Sequence, residues 1–278
     1  MGVFRQEFLL KNYLAKFKSV EPFYKPQWKW PVWVMLVYRG IFSFYTVFGL
    51  IYYLVYRQDL RHPTILYLAT WAYIALTLYH LVALIVTSYI FAKTTKEEKT
   101  ETIPLTTGSV NNDRVDEEET TANKKNSLPW YVIITWLLAN VSYTSAITVT
   151  TVFYFALFPL GGVNTDMEDV NIHVFNTILV LVDVSITAIP VRLYHVSYTI
   201  IAGGVYSVMY EVYWNVNKSR NVLYPGLLDW NKPEIATMVN FTLLFIVLPL
   251  LQFMFFGFYR LRLFIFEKIY KQKYEHEP

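Results

Sequence analysis

Between Asn171 and His195 the sequence reads NIHVFNTILVLVDVSITAIPVRLYH, an apolar run that nevertheless carries His173, Asn176 and Asp183. On a helix of about 3.6 residues per turn, positions 173, 176, 180, 183 and 187 fall within roughly an 80° arc. An imidazole, an amide, a carboxyl and the Thr187 hydroxyl therefore share one stripe. Such a set suits proton relay, ion or substrate binding, or hydrogen bonding between helices, and the spacing alone leaves these open. Inserting Asp183 into hydrocarbon costs roughly 2.5 to 3.5 kcal/mol, so the stripe is expected to face other helices. By depth, His80 is matched to Asp183 and Glu211 to His173, which makes two cross-helix pairs possible. His62, His80, His173 and His195 are scattered, with no HExxH spacing, and no metal site is predicted. No phosphate-binding glycine loop or GxSxG elbow is present, and the absence of cysteine excludes disulfides, thiolate metal sites and cysteine catalysis.

These residues have to be positioned by membrane helices. Of the 278 residues, 55% are hydrophobic and 16% charged, against about 25% charged in a soluble domain. The charges concentrate in the first thirty residues, a central polar segment and the C-terminus. The long uncharged stretches between them predict an all-α polytopic transmembrane bundle of six spans. The spans run from about Trp33 to Tyr56, Thr64 to Phe91, Trp130 to Leu157, Asn171 to a tight link at Pro190–Arg192, His195 to Trp214, and Ile235 to Phe258. Pro249 is expected to kink the last of them. Ser142, Thr144, Ser145, Thr148, Thr150 and Thr151 stud the third span and are expected to bond across helix interfaces. Trp28, Trp30, Trp33, Tyr52, Tyr53, Tyr56, Trp130 and Trp214 cluster at span ends, as interfacial aromatic belts do.

The intervening segments divide the chain. Residues 1–32 form a basic arm, with Leu10, Tyr13, Leu14 and Phe17 at amphipathic helical spacing. Residues 33–92 hold the first two spans, 93–128 a polar flexible loop, 129–259 the remaining four spans, and 260–278 a basic tail. Arg39, one to two turns inside the first span, is expected to snorkel to the head groups as an anchor. With six spans, placing both termini in the cytoplasm puts about 18 of the 24 Lys and Arg on the inner side against about 5 outside. Asn217-Lys218-Ser219 then becomes an outward-facing glycosylation acceptor, whereas the sequons at Asn140 and Asn240 lie at membrane depth. A net charge of +3 gives no reason to expect a nucleic-acid partner.

Three phrases carry a resemblance: YLATWAYIALTLY at 67–79, HVFNTILVLVDVSITAIPVRLYH at 173–195, and LYPGLLDWNKP at 223–233. In order and spacing they resemble the rolling stone family of multipass membrane proteins, over most of the chain apart from the central loop. The resemblance implies a plasma-membrane protein of cell–cell fusion, as in myoblasts, or of membrane adhesion. Its partners would be the lipid bilayer and membrane proteins of an apposed cell, and it brings no cofactor.

A more distant similarity reaches the androgen-induced hydrolases, which cleave fatty acid esters of hydroxy fatty acids with a threonine and a histidine. Their threonine follows a leucine near the start of a span; after Leu68 this sequence has Ala69, with Thr70 one place on. Their histidine pair, three residues apart, becomes His173 and Asn176. An intramembrane threonine/histidine-type lipid ester hydrolase built on Thr70, His173 and Asn176 is thus the enzymatic alternative. A proton-coupled transporter, motivated by Asp183 and His80, is a further one.

Overall fold

The computed structural model describes residues 19–56, 62–101, 128–160 and 167–274. The amphipathic helix expected around Leu10–Phe17 and most of the central polar segment lie outside the described residues. Within them the chain is helical, and backbone pairing beyond helices is limited to isolated bridges such as Pro26 with Thr187. Six helices form the bundle: α1 (Val32–Tyr56), α2 (Leu68–Glu101), α3 (Trp130–Leu157), α4 (Asn171–Ile186), α5 (Val196–Val216) and α6 (Pro233–Tyr270). The all-α polytopic class holds. Four of the six, α1, α2, α3 and α6, are long and apolar enough to cross a membrane. In α4, five residues of π-helix precede eleven of α-helix, about 24 Å in all. α5 has 21 residues, with Tyr, Ser, Gly and Glu211 diluting its apolar character.

Helix boundaries follow local chemistry. α2 continues past Phe91 to Glu101 because its Thr, Lys and Glu residues carry the helix on without a Gly or Pro to stop it. α4 ends at Ile186, short of the link expected at Pro190: Thr187 is extended (φ −74°, ψ 155°), and a helix continued to Pro190 would set its ring against the Ile186 carbonyl. In α6, Leu243–Val247 widen into a π-turn immediately before Pro249. The wider turn makes room for a ring that would otherwise press on the carbonyl one turn back.

Cross-helix contacts show that α1, α2, α3 and α4 run antiparallel in succession. Arg39 reaches Ala83 while Gly49 abuts Tyr73. Tyr89 meets Tyr131 while Tyr79 meets Tyr143. Trp136 meets Pro190 while Thr150 meets His173. Ser207 bonds Asn240 (2.8 Å) near one end of the α5–α6 seam. The first and last described segments accordingly meet: Lys29 lies over the Tyr270 ring at 5.0 Å. Most hydroxyls of α3 do not bridge helices. Ser142, Ser145 and Thr148 donate to carbonyls one turn back in α3 itself, the local satisfaction available to any helical Ser or Thr. Thr144 with Thr199 (2.9 Å) and Thr150 with Thr177 (2.8 Å) do cross.

Both ends of the bundle are closed by chain. At one end residues 20–28 tuck underneath, with Phe23 fully buried and edge-on to Trp136. At the other, residues 217–232 fold over α2 and α5. Tyr224 accepts the Leu68 amide there (2.8 Å), His62 contacts Tyr213 (3.0 Å), and Gly226 turns the chain at φ +80°, a conformation that favours glycine.

Candidate functional site

Asp183 is 1% exposed and is the meeting point of four helices. One carboxylate oxygen accepts from the Tyr38 hydroxyl of α1 (2.7 Å); the other accepts from Tyr79 of α2 (2.6 Å) and from Tyr143 of α3. Three phenols donating to one carboxylate suit its acceptor-only, ionised form, and such charge-assisted bonds are short and about twice as strong as neutral ones. The cage offsets the cost of burying the acid, which would otherwise be prohibitive in a low-dielectric interior.

The residues after Asp183 form a second polar assembly. A helix leaves its last carbonyls without intrahelical donors, and in α4 those of Val184, Ser185 and Ile186 are capped from elsewhere. Asp183 O accepts from the Thr187 amide and hydroxyl (2.9 Å each). Val184 O accepts from Arg262 (2.6 Å), Ser185 O from the Trp28 indole (2.9 Å), and Ile186 O from the Gln27 amide (2.9 Å). Beyond the helix, Thr187 O and Ile189 O also accept from Arg262, Pro190 O from the Trp136 indole (2.6 Å), and Arg192 O from Gln252 (2.7 Å). Arg262 is 5% exposed, and a cation at the negative end of a helix is itself favourable. Unwound backbone buried in this way is tolerated where protein groups stand in for helical bonds, as they do at these carbonyls.

The two cross-helix pairs drawn from depth do not form as hydrogen bonds. His80 is fully buried; its ring packs against Phe42 (5.5 Å) and Tyr79 (5.0 Å), and neither nitrogen is hydrogen-bonded among the described residues. The Tyr79 side chain, one position earlier, occupies the place at Asp183. His173 stacks flat on Phe153 at 3.8 Å, joining the π-turn of α3 to that of α4, whereas Glu211 is exposed on α5. A π-turn frees a carbonyl from its usual donor, and Thr150 fills the one at His173. Thr70 is buried and donates to Thr64 O (2.6 Å) rather than to a base. Asn176 is fully buried on the same stripe as Asp183, and its amide has no hydrogen-bond partner among the described residues.

Three functional-looking side chains were illegible or misplaced in the sequence. Tyr38 sits among many interfacial aromatics, so nothing singles it out. Arg39 is not a snorkelling anchor: it is 1% exposed and clamps Phe23 O (2.8 Å), Ala83 O (2.9 Å) and Thr87. The reason is that residues 20–28 fold back beneath the bundle and bring carbonyls to it. Arg262 falls after the apolar run and so reads as tail. The signal that could have found it is the helix end at Ile186, which has no glycine cap and needs donors from an apolar neighbour.

Comparison with known proteins agrees with this architecture in extent. The family model described as protein rolling stone matches residues 2–275. Protein rolling stone of Drosophila melanogaster is 24% identical over 270 residues, covering 93% of this chain and 90% of that protein. No solved structure matches the chain. A match along nearly the whole length, spanning the caged aspartate, the unwound segment and both closed ends, places the chain by descent: it belongs to the rolling stone family.

Proposed function

We propose that the protein acts at the plasma membrane in cell–cell fusion or membrane adhesion, the role that the rolling stone resemblance implies. The observation that carries the reading is how the intramembrane polar groups are used. The Asp183 oxygens are taken by three phenols, Arg262 by backbone carbonyls, and the Thr70 hydroxyl by Thr64. Groups spent on holding helices together fit a scaffold that presents surfaces to partners better than a nucleophile–base pair or a proton path. The expected result is that depleting the protein from fusing myoblasts lowers the fraction of nuclei in multinucleate cells at least severalfold, with rescue by the wild-type chain. Unchanged fusion would overturn the reading. Labelling by a fluorophosphonate probe that Thr70→Ala abolishes would replace it with the hydrolase.

The orientation belongs to the same proposal: six spans, with both termini cytoplasmic. Asn217 is exposed, with Ser219 beside it at 3.0 Å, whereas Asn140 is 3% exposed. In a eukaryotic secretory pathway a deglycosylation shift is expected that Asn217→Gln removes. A tag inserted in the central polar segment should stay hidden from antibody in unpermeabilised cells. A glycan that survives Asn217→Gln, or a tag accessible from outside, would invert the orientation.

A further inference from the structure

Away from the aspartate cage, α2, α3, α5 and α6 surround a part-open cavity of about 160 Å³. Its wall is largely hydrocarbon, with Ala72, Ala202, Leu244 and Leu248 among the lining residues. The hydroxyls on it are already committed: Ser145 to Val141 O, Tyr206 to Leu66 O, Tyr210 to Leu228 O, and Ser207 to Asn240. One donor is not. Trp230, where residues 217–232 close the bundle, lines the cavity, and its buried indole nitrogen has no hydrogen-bond acceptor among the described residues. An indole N–H only donates, so an occupant that completes this site brings an acceptor to the loop end and hydrocarbon to the rest.

The size and the surroundings narrow the occupant. A cavity of this volume takes about a single ring or a short stretch of one chain, since an engineered apolar cavity of about 150 Å³ binds benzene. Along α6 the lining runs from Asn240 to Leu248, on the order of 12 Å, which is elongated rather than round. α5 and α6, which line the cavity, also present Ile201, Val205, Phe241 and Phe245 outward, all more than half exposed. In a bilayer such faces meet acyl chains. The α5–α6 seam beside the cavity is close-packed: the π-turn Leu243–Val247 of α6 lies against Gly203 of α5, where an added Cβ would meet Leu244 at 2.6 Å. We propose that this cavity binds the carbonyl-proximal stretch of one acyl chain of a bilayer glycerolipid, with the ester carbonyl accepting from Trp230 at the loop end.

The test uses the full chain in liposomes containing phosphatidylcholine with a diazirine on one acyl chain, photolysed and mapped by peptide mass spectrometry. Ala72, Thr148 and Leu248 are at most 5% exposed, so chains in bulk lipid do not reach them. Adducts on these three are expected, falling at least fivefold in Ala202→Phe, which fills the cavity, and severalfold in Trp230→Phe. Adducts on the outward Phe245 should persist in both. Ala75→Phe fills the cavity from the α2 wall should Ala202→Phe fail to fold, and the wild-type adduct map decides on its own if neither folds. Adducts confined to Ile201, Phe241 and Phe245 would overturn the site. Loss of the inner adducts on addition of excess oleate would overturn the glycerolipid assignment in favour of a free fatty acid.

Discussion

Asp183→Leu should lower stability by on the order of 3 to 5 kcal/mol, the range for removing one partner of a buried charged assembly. For a chain of this size that corresponds to a fall of roughly 10 °C in the midpoint of thermal unfolding in detergent. The loss has two parts. The leucine cannot accept, so Tyr38, Tyr79 and Tyr143 are left with buried hydroxyls, each costing about 1 to 3 kcal/mol when unsatisfied, and four helices lose their common tie. Tyr143→Phe alone should be milder, and in the Asp183→Leu background it should cost almost nothing, because its acceptor is already gone. His80→Leu, which shares no hydrogen bond with Asp183, should add to Asp183→Leu with little coupling. Fluorescence-detected size exclusion of heated samples measures all of these. A midpoint within about 2 °C of wild type for Asp183→Leu would remove the cage from its place at the centre of the fold.

Arg262→Leu is expected to be of similar severity. It strips donors from three buried carbonyls, those of Val184, Thr187 and Ile189, at about 1 to 3 kcal/mol each. Arg262→Lys should recover less than half of the loss, because one compact ammonium cannot reproduce a planar fork that serves acceptors on two sides. Hydrogen exchange separates this from a general weakening. Amides of residues 184–192 should lose protection first in the Arg262 variants, while those of α1 and α2 keep theirs. Uniform loss across the bundle, or full rescue by lysine, would show that the guanidinium geometry is not what holds this segment.

How much of this was legible in the sequence follows from which forces act locally. Apolar runs of membrane length place α1, α2, α3 and α6 directly, because length and hydropathy are properties of the segment itself. The stripe on α4 was legible for the same reason: periodicity puts Asp183 on an inward face, and it is buried. Its partners were not, because pairing depth with depth leaves the rotation of each helix free. A rotation of one residue, about 100°, decides between His80 and Tyr79, and only packing sets it. Proline marked the link at Pro190 but not the earlier stop at Ile186, which depends on donors from Gln27, Trp28 and Arg262, remote in sequence.

The capped end of α4 has a consequence for how the protein is made. Its carbonyls are satisfied by groups from the N-terminal segment, from α3 and from α6. The last of these donors is synthesised some seventy residues after the carbonyls it serves. Until α6 leaves the ribosome, residues 184–192 hold exposed acceptors that lipid cannot satisfy. The nascent chain must therefore keep this stretch near water or in the keeping of an insertion chaperone. The final set of bonds at this segment therefore waits on Gln252 and Arg262. Chains truncated before Leu248 would lack Gln252 and Arg262, and with them the donors to Val184, Thr187, Ile189 and Arg192.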